Sequence, residues 1–188
     1  MTHHAETVIN PALIAKITPL RMLLMDVDGV LTDGSIIWGD QGVQSRVFDV
    51  RDGTGVYLIR QIGIQTGIIT GKTSQAVAYR AKELQIDEVF QGATNKLSVY
   101  EEIKIRHVFS DAQYAYIGDD LLDIALLEKV GFSAAPADAH PEVLKRVDFV
   151  SRHPGGKGAV REIVELILKA QSKWDFFLNL ARTGQISR

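Results

Sequence analysis

Short uninterrupted apolar runs recur along this chain, separated by longer stretches in which apolar positions return at helical spacing. Residues 21–26 (RMLLMD), 64–70 (IQTGIIT), 114–118 (YAYIG), 132–135 and 148–150 carry the first pattern and predict strands. Residues 56–62, 74–84, 96–106, 121–130, 141–146 and 159–173 carry the second and predict helices, with Asn95 as the cap before Lys96. Strands that are apolar throughout and alternate with helices signal a parallel sheet covered on both faces. One stretch breaks the alternation. Residues 35–38 and 45–48 are rich in strand formers and are joined by Gly39-Asp40-Gln41-Gly42, which predicts a hairpin inserted after the first strand. The predicted fold class is α/β: a Rossmann-like parallel sheet with helices on both faces, plus an inserted β-hairpin at about 35–48.

Length adds that 188 residues suit one domain. Residues 1–20 read as a leader, in which Asn10-Pro11 starts a short helix over 12–17. Residues 21–173 form the domain, and 174–188 form a tail whose Trp174, Phe176, Phe177 and Leu180 predict docking. A net charge of −2 argues against a nucleic-acid binder. No apolar run approaches the roughly 20 residues of a membrane span, and no signal peptide is evident. With no cysteine, disulfide, thiolate-metal and thiol-nucleophile chemistry are excluded. The five histidines show no ligand spacing. The expectation is a soluble, cytoplasmic protein.

Open parallel sheets bind ligands outside the carboxyl ends of their strands. The first strand ends in Asp26-Val27-Asp28-Gly29-Val30 and the second major one in Thr70-Gly71. Residues 114–118 run into Asp119-Asp120, with Asp123 a helical turn later, and Lys96 opens a helix. Carboxylates that crowd together need a compensating cation, and oxygen ligands alone favour a hard ion such as Mg²⁺. Such a site suits phosphoryl transfer. Asp26 could attack phosphorus, and Asp28 could protonate the leaving oxygen and later deprotonate water. Thr70 and Lys96 would hold phosphoryl oxygens, Asp119 would complete the metal site, and Asp120 or Asp123 would orient metal-bound water.

The segments MDVDGVLTDG, IITG, the lysine of NKL and GDDLLD resemble, in order, the four motifs of the haloacid-dehalogenase-like phosphatases. VRDGTG (50–55), DAHP (138–141) and GGKGAVRE (155–162) narrow the resemblance to members acting on 3-deoxy-D-manno-octulosonate 8-phosphate in lipopolysaccharide sugar synthesis. N-acylneuraminate 9-phosphate is the alternative substrate on the same scaffold. The resemblance implies that Asp26 is the nucleophile and Asp28 the acid/base. It implies Mg²⁺ held by Asp26, the backbone carbonyl of Asp28 and Asp119. It also places substrate contacts on Asp28, Asp49, Val50, Arg51, Asp52, Gly53, Thr70, Gly71, Lys72, Arg80 and Lys96. At Tyr57 and Lys72 the chain departs from a family pattern that has arginine. A receiver-like signalling domain would share Asp, Thr and Lys at strand ends, but would lack an acid two residues after the phosphorylated one; Asp28 discriminates.

Only 43 residues separate Asp26 from Thr70 and 25 separate Thr70 from Lys96, too few for a cap domain in either interval. Water must then be excluded by a macromolecular substrate or by another subunit. The apolar hairpin (Ile36, Ile37, Trp38, Val47) predicts an interface. The resemblance implies a homotetramer of the capless type.

Overall fold

The computed structural model describes residues 9–186. His3 and His4, with the rest of the first eight leader residues and the last two of the tail, lie outside them. The elements run α1 (Pro11–Ile17), β1 (Met22–Met25), β2 (Ile37–Trp38), β3 (Gln44–Ser45), α2 (Val50–Gln61), β4 (Gln65–Thr70), α3 (Gln75–Glu83), β5 (Glu88–Gln91) and α4 (Lys96–His107). There follow β6 (Tyr114–Ile117), α5 (Ile124–Leu127), β7 (Phe132–Ala135), α6 (Pro141–Leu144), β8 (Phe149–Val150), α7 (Ala159–Ala170) and α8 (Trp174–Arg182).

Six strands form one parallel sheet in the order β5-β4-β1-β6-β7-β8, and β2 and β3 form a separate two-stranded ribbon. The α/β class and the inserted hairpin are as expected. Alternation along β1 sends Leu23 and Met25 into a core shared with α2 and α7, and Met22 and Leu24 into a second core that includes Tyr100 and Ile103 of α4. Both faces are therefore dry, which is why the strands read as continuous apolar runs. Between β1 and β4 lie the hairpin and α2, and between β4 and β5 only α3, so neither interval holds a cap domain. Among the described residues no helix is long and apolar enough to cross a membrane.

The differences from the sequence expectation have local causes. Helix α2 starts at Val50 rather than 56, because Asp49 caps it by accepting from the Arg51 N–H at 2.6 Å. Gly53 and Gly55 hide this turn from propensity but serve packing. A Cβ on Gly53 would sit 2.3 Å from Arg80 Nη2, and one on Gly55 would sit 3.1 Å from Arg161 Cα in α7. Strand β5 went unpredicted: it is an edge strand, only partly buried, held by parallel pairing with β4. The hairpin pairs over two residues a side, Ile37 with Ser45 and Trp38 with Gln44, while Phe48 turns to the core. The expected 121–130 helix is a 3₁₀ turn at Leu121–Asp123 followed by α5. Of the expected tail, α8 is helical and buries Phe177, and Ile17 and Leu20 of the expected leader lie fully in the core.

Candidate active site

Strand β1 lies between β4 and β6, with Met25 level with Ile68 and Ile117. The residues just beyond these three strands therefore meet at one sheet edge, where the strand order reverses. The Asp26 N–H continues the ladder by donating to the Ile117 carbonyl at 2.9 Å, and the Val27 N–H donates to Asp26 Oδ1 at 2.6 Å. The chain then turns through Gly29 at φ +95°, and a Cβ there would lie 2.1 Å from Asp119 Oδ2, so no other residue fits without displacing Asp119. Two further glycines press on this loop from outside. The Gly156 N–H donates to the Val30 carbonyl at 2.9 Å, and a Cβ on Gly155 would come within 1.8 Å of the Gly29 oxygen. The Gly155 N–H is held in turn by Asp138 Oδ1 at 2.9 Å. The 138–141 and 155–162 segments thus buttress the Asp26 loop.

One carboxylate oxygen from each of Asp26, Asp119 and Asp123 lies within 4.8 Å of the others. Lys96, buried at the first position of α4, bridges Asp26 Oδ2 at 2.7 Å and Asp123 Oδ1 at 2.6 Å. Asp123 has no oxygen left over. Its Oδ1 also accepts from the Tyr116 hydroxyl at 2.5 Å, and its Oδ2 accepts from the backbone N–H groups of Asp119 and Asp120 at 3.0 and 3.1 Å. Fully buried, Asp123 fixes Lys96 and the Asp119 loop. Asp120 is exposed, and its side chain caps the Leu121 N–H at 2.7 Å.

Burial, reinforced by Asp123 and opposed by Lys96, pushes Asp26 up to about 6. Burial and the charges of Asp26 and Asp123 push Asp119 up to about 7. Burial pulls Lys96 down, but the carboxylates of Asp26 and Asp123 outweigh it and leave the ammonium above its ordinary value. Asp119 Oδ1 is buried without a hydrogen-bond partner. An orphaned carboxylate oxygen beside a second carboxylate is an unsatisfied demand for positive charge. Oxygen donors with no nitrogen or sulfur fit a hard divalent cation there.

Asp26, Asp28, Thr70, Gly71, Lys72, Lys96, Asp119, Asp120 and Asp123 line one cavity of about 340 Å³. Thr70 is the last residue of β4, and Lys72 Nζ stands 3.8 Å from Asp28 Oδ2. The other expected sugar contacts are elsewhere. Asp49 pairs with Arg51 at 2.8 Å, and Arg80 donates to the Asp49 carbonyl at 3.1 Å. Val50 is exposed. Asp52 and Gly53 are buried between helices, where Asp52 accepts the Gly158 and Arg161 N–H groups at 3.2 and 2.8 Å. It serves there as the cap of α7, whose own N-cap is a glycine. Tyr57 is half-buried against the core. One site residue went unpredicted: Arg46, which forks onto Asp28 with Nε–Oδ1 2.6 Å and Nη2–Oδ2 3.2 Å. The only trace in the sequence is a lone cation in the apolar hairpin.

Paired aspartates just beyond β1, a lysine gripping the first of them and a further aspartate just beyond the neighbouring β6 define a hydrolase of the aspartate-dependent α/β type. Comparison with known proteins agrees. A model of haloacid dehalogenase-like hydrolases matches residues 65–163. The chain is 42% identical to the 3-deoxy-D-manno-octulosonate 8-phosphate phosphatase KdsC of Escherichia coli K12 over 167 residues, 89% of each protein. The crystal structure of the corresponding Yersinia pestis phosphatase is similar at TM-score 0.87 and 41% identity, covering 89% of this chain and 90% of that one. The Moraxella catarrhalis phosphatase, solved with magnesium ion, phosphate ion and KDO, gives TM-score 0.87 at 38% identity over 89% and 96%. The chain belongs to the haloacid dehalogenase-like hydrolase family.

Proposed function

We propose that this protein is a magnesium-dependent phosphatase that hydrolyses 3-deoxy-D-manno-octulosonate 8-phosphate to the free sugar acid and phosphate, in lipopolysaccharide sugar synthesis. The observation that carries the chemistry is that Asp26, Asp28, Lys96 and Asp119 line one cavity, with Lys96 2.7 Å from Asp26. The likeness to the octulosonate phosphatases supports the substrate.

A carboxylate of Asp26 attacks phosphorus as the bond to the sugar oxygen breaks, and Asp28 gives that oxygen a proton. Water then releases phosphate from the aspartyl-phosphate, returning a proton to Asp28. Lys96 orients Asp26 and, with the Thr70 hydroxyl, receives phosphoryl oxygens. Lys72, exposed at the cavity mouth, attracts the anionic substrate. Asp26, Asp119 and the Asp28 carbonyl would hold Mg²⁺, which supplies charge neutralisation for the phosphoryl group. A phosphorylated sugar acid is too highly charged to cross a membrane unaided, which supports a cytoplasmic enzyme.

Phosphate release from a panel of eight- and nine-carbon sugar-acid phosphates with Mg²⁺ tests this reading. The octulosonate ester should have the highest kcat/KM. Preference for a nine-carbon ester would reassign the substrate, and hydrolysis of none would overturn the reading.

The active unit is proposed to be a homotetramer in which hairpins pack together and a neighbour covers each cavity. Ile37, Trp38, Val43 and Val47 are each more than half exposed, which suits an interface rather than a solvated ribbon. Leu122, at the cavity rim, is 78% exposed. Sedimentation at micromolar concentration should give a tetramer, and a monomer with full activity would sink the idea.

A further inference from the structure

Between residues 33 and 51 a single residue is buried, and it is a charged one, Arg46. Its side chain is 0% exposed although it springs from the hairpin whose Trp38, Val43 and Val47 face outward. Burying a guanidinium is costly unless its partners are well placed. Arg46 spends its donors on Asp28 and on Gln44 Oε1, which accepts from Nη1 at 3.2 Å. A forked arginine fixes the plane of a carboxylate as well as compensating its charge.

The two arms of the fork are unequal. Nε holds Asp28 Oδ1 at 2.6 Å, whereas Nη2 reaches Oδ2 at 3.2 Å. Oδ2 is also the oxygen that Lys72, a residue of the cavity wall, approaches to 3.8 Å. A carboxyl group that exchanges a proton with substrate needs one oxygen held and the other released. The long arm marks which is which.

We propose that Arg46 is a positioning residue for the reaction, clamping Asp28 through Oδ1 so that Oδ2 is the oxygen that carries the proton. The proposal rests on the reading of Asp28 as acid/base. As the Asp26–phosphorus bond forms and the phosphorus–sugar oxygen bond breaks, the proton on Oδ2 passes to the sugar oxygen. As water oxygen bonds to phosphorus and the Asp26–phosphorus bond breaks, one water proton returns to Oδ2. Arg46 acts in this scheme only through Asp28. The competing role is mechanical: Arg46 as the anchor of the hairpin.

Leaving-group dependence separates the two. An alkoxide must be protonated as it departs, whereas p-nitrophenolate leaves unaided. We would measure kcat/KM for the octulosonate phosphate, glycerol phosphate and p-nitrophenyl phosphate with Mg²⁺, in the wild-type protein, Arg46→Gln and Arg46→Lys. Arg46→Gln should lose roughly 30-fold on the alkyl esters and under about 5-fold on the aryl ester, since positioned proton transfer is worth ~10²–10⁴-fold in all. Arg46→Lys keeps the charge and one donor, and should recover to within about 5-fold of wild type on the alkyl esters. Equal losses on alkyl and aryl esters, or a lysine variant no better than glutamine, would overturn the proposal in favour of anchoring. Where Arg46→Gln does not fold, Arg46→Lys alone decides, because its residual loss must still be larger on the alkyl esters. A wild type that cleaves glycerol phosphate but not the sugar ester removes the substrate reading and leaves the Arg46 comparison intact. A wild type inert on all three removes both.

Discussion

Asp26→Asn is expected to abolish phosphate release, lowering kcat by ~10³-fold or more, with fold and subunit assembly unchanged. The amide is close to the carboxylate in shape but cannot form and turn over an acyl phosphate. The neighbourhood tolerates the change because Lys96 keeps Asp123 at 2.6 Å and Tyr116 at 3.3 Å. It also relieves the site, since burial and the nearby Asp123 disfavour a charge at position 26. The melting temperature without metal should therefore stay level or rise. Loss of activity with a preserved melting curve is the signature of a missing nucleophile. Turnover within about tenfold of wild type would remove Asp26 from that role.

What the sequence made legible follows from how each feature is encoded. The sheet was readable because strands covered on both faces must be apolar throughout, so β1, β4, β6 and β7 stand out against their helices. Strand β5 was not, because an edge strand that keeps Glu88 and Gln91 half-buried carries no such run. The start of α2 was masked by Gly53 and Gly55, whose placement answers to Arg80 and to α7, elements 27 to 106 residues away. Asp26, Asp28, Thr70, Lys96 and Asp119 were legible as acids, a hydroxyl and a lysine at strand ends, and a single cavity gathers them.

Partners supplied across the fold were not legible. Asp52 looks like a site acid in the linear chain, yet in three dimensions it completes the N-terminus of α7. Asp123 looks like a helix-face residue, yet it is the fully buried hub that ties Lys96, Tyr116 and the Asp119 backbone together. Arg46 looks like a surface cation of a ribbon, yet it is the closest cationic partner of Asp28. In each case the side chain's role is set by tertiary contact and has no periodic signature.

Removing divalent cations should silence turnover completely and should also make stability depend on pH in a particular direction. Asp26 and Asp119 sit at about 6 and about 7 in the folded protein, against an ordinary value of 3.8. With folded values raised, the native state binds more protons than the unfolded chain between these limits. Stability from this source is complete below about pH 4 and is lost as pH rises through 6 and 7. Without metal, the melting temperature should fall between pH 5 and pH 8 by roughly 5–10 °C, as a few kcal/mol would produce in a chain of this size. A divalent cation competes with those protons, so the stabilisation by Mg²⁺ should be small at pH 5 and large at pH 8. Asp119→Asn should make the metal-free profile shallower and abolish the Mg²⁺ response, because it removes one of the two raised carboxyl groups and the negative charge that would face the ion. Full activity in chelator, or a Mg²⁺ shift equal at pH 5 and pH 8, would show that the carboxylates beyond β1 and β6 do not share a cation. In that case Lys96, together with protons on Asp26 and Asp119, would balance the three acids.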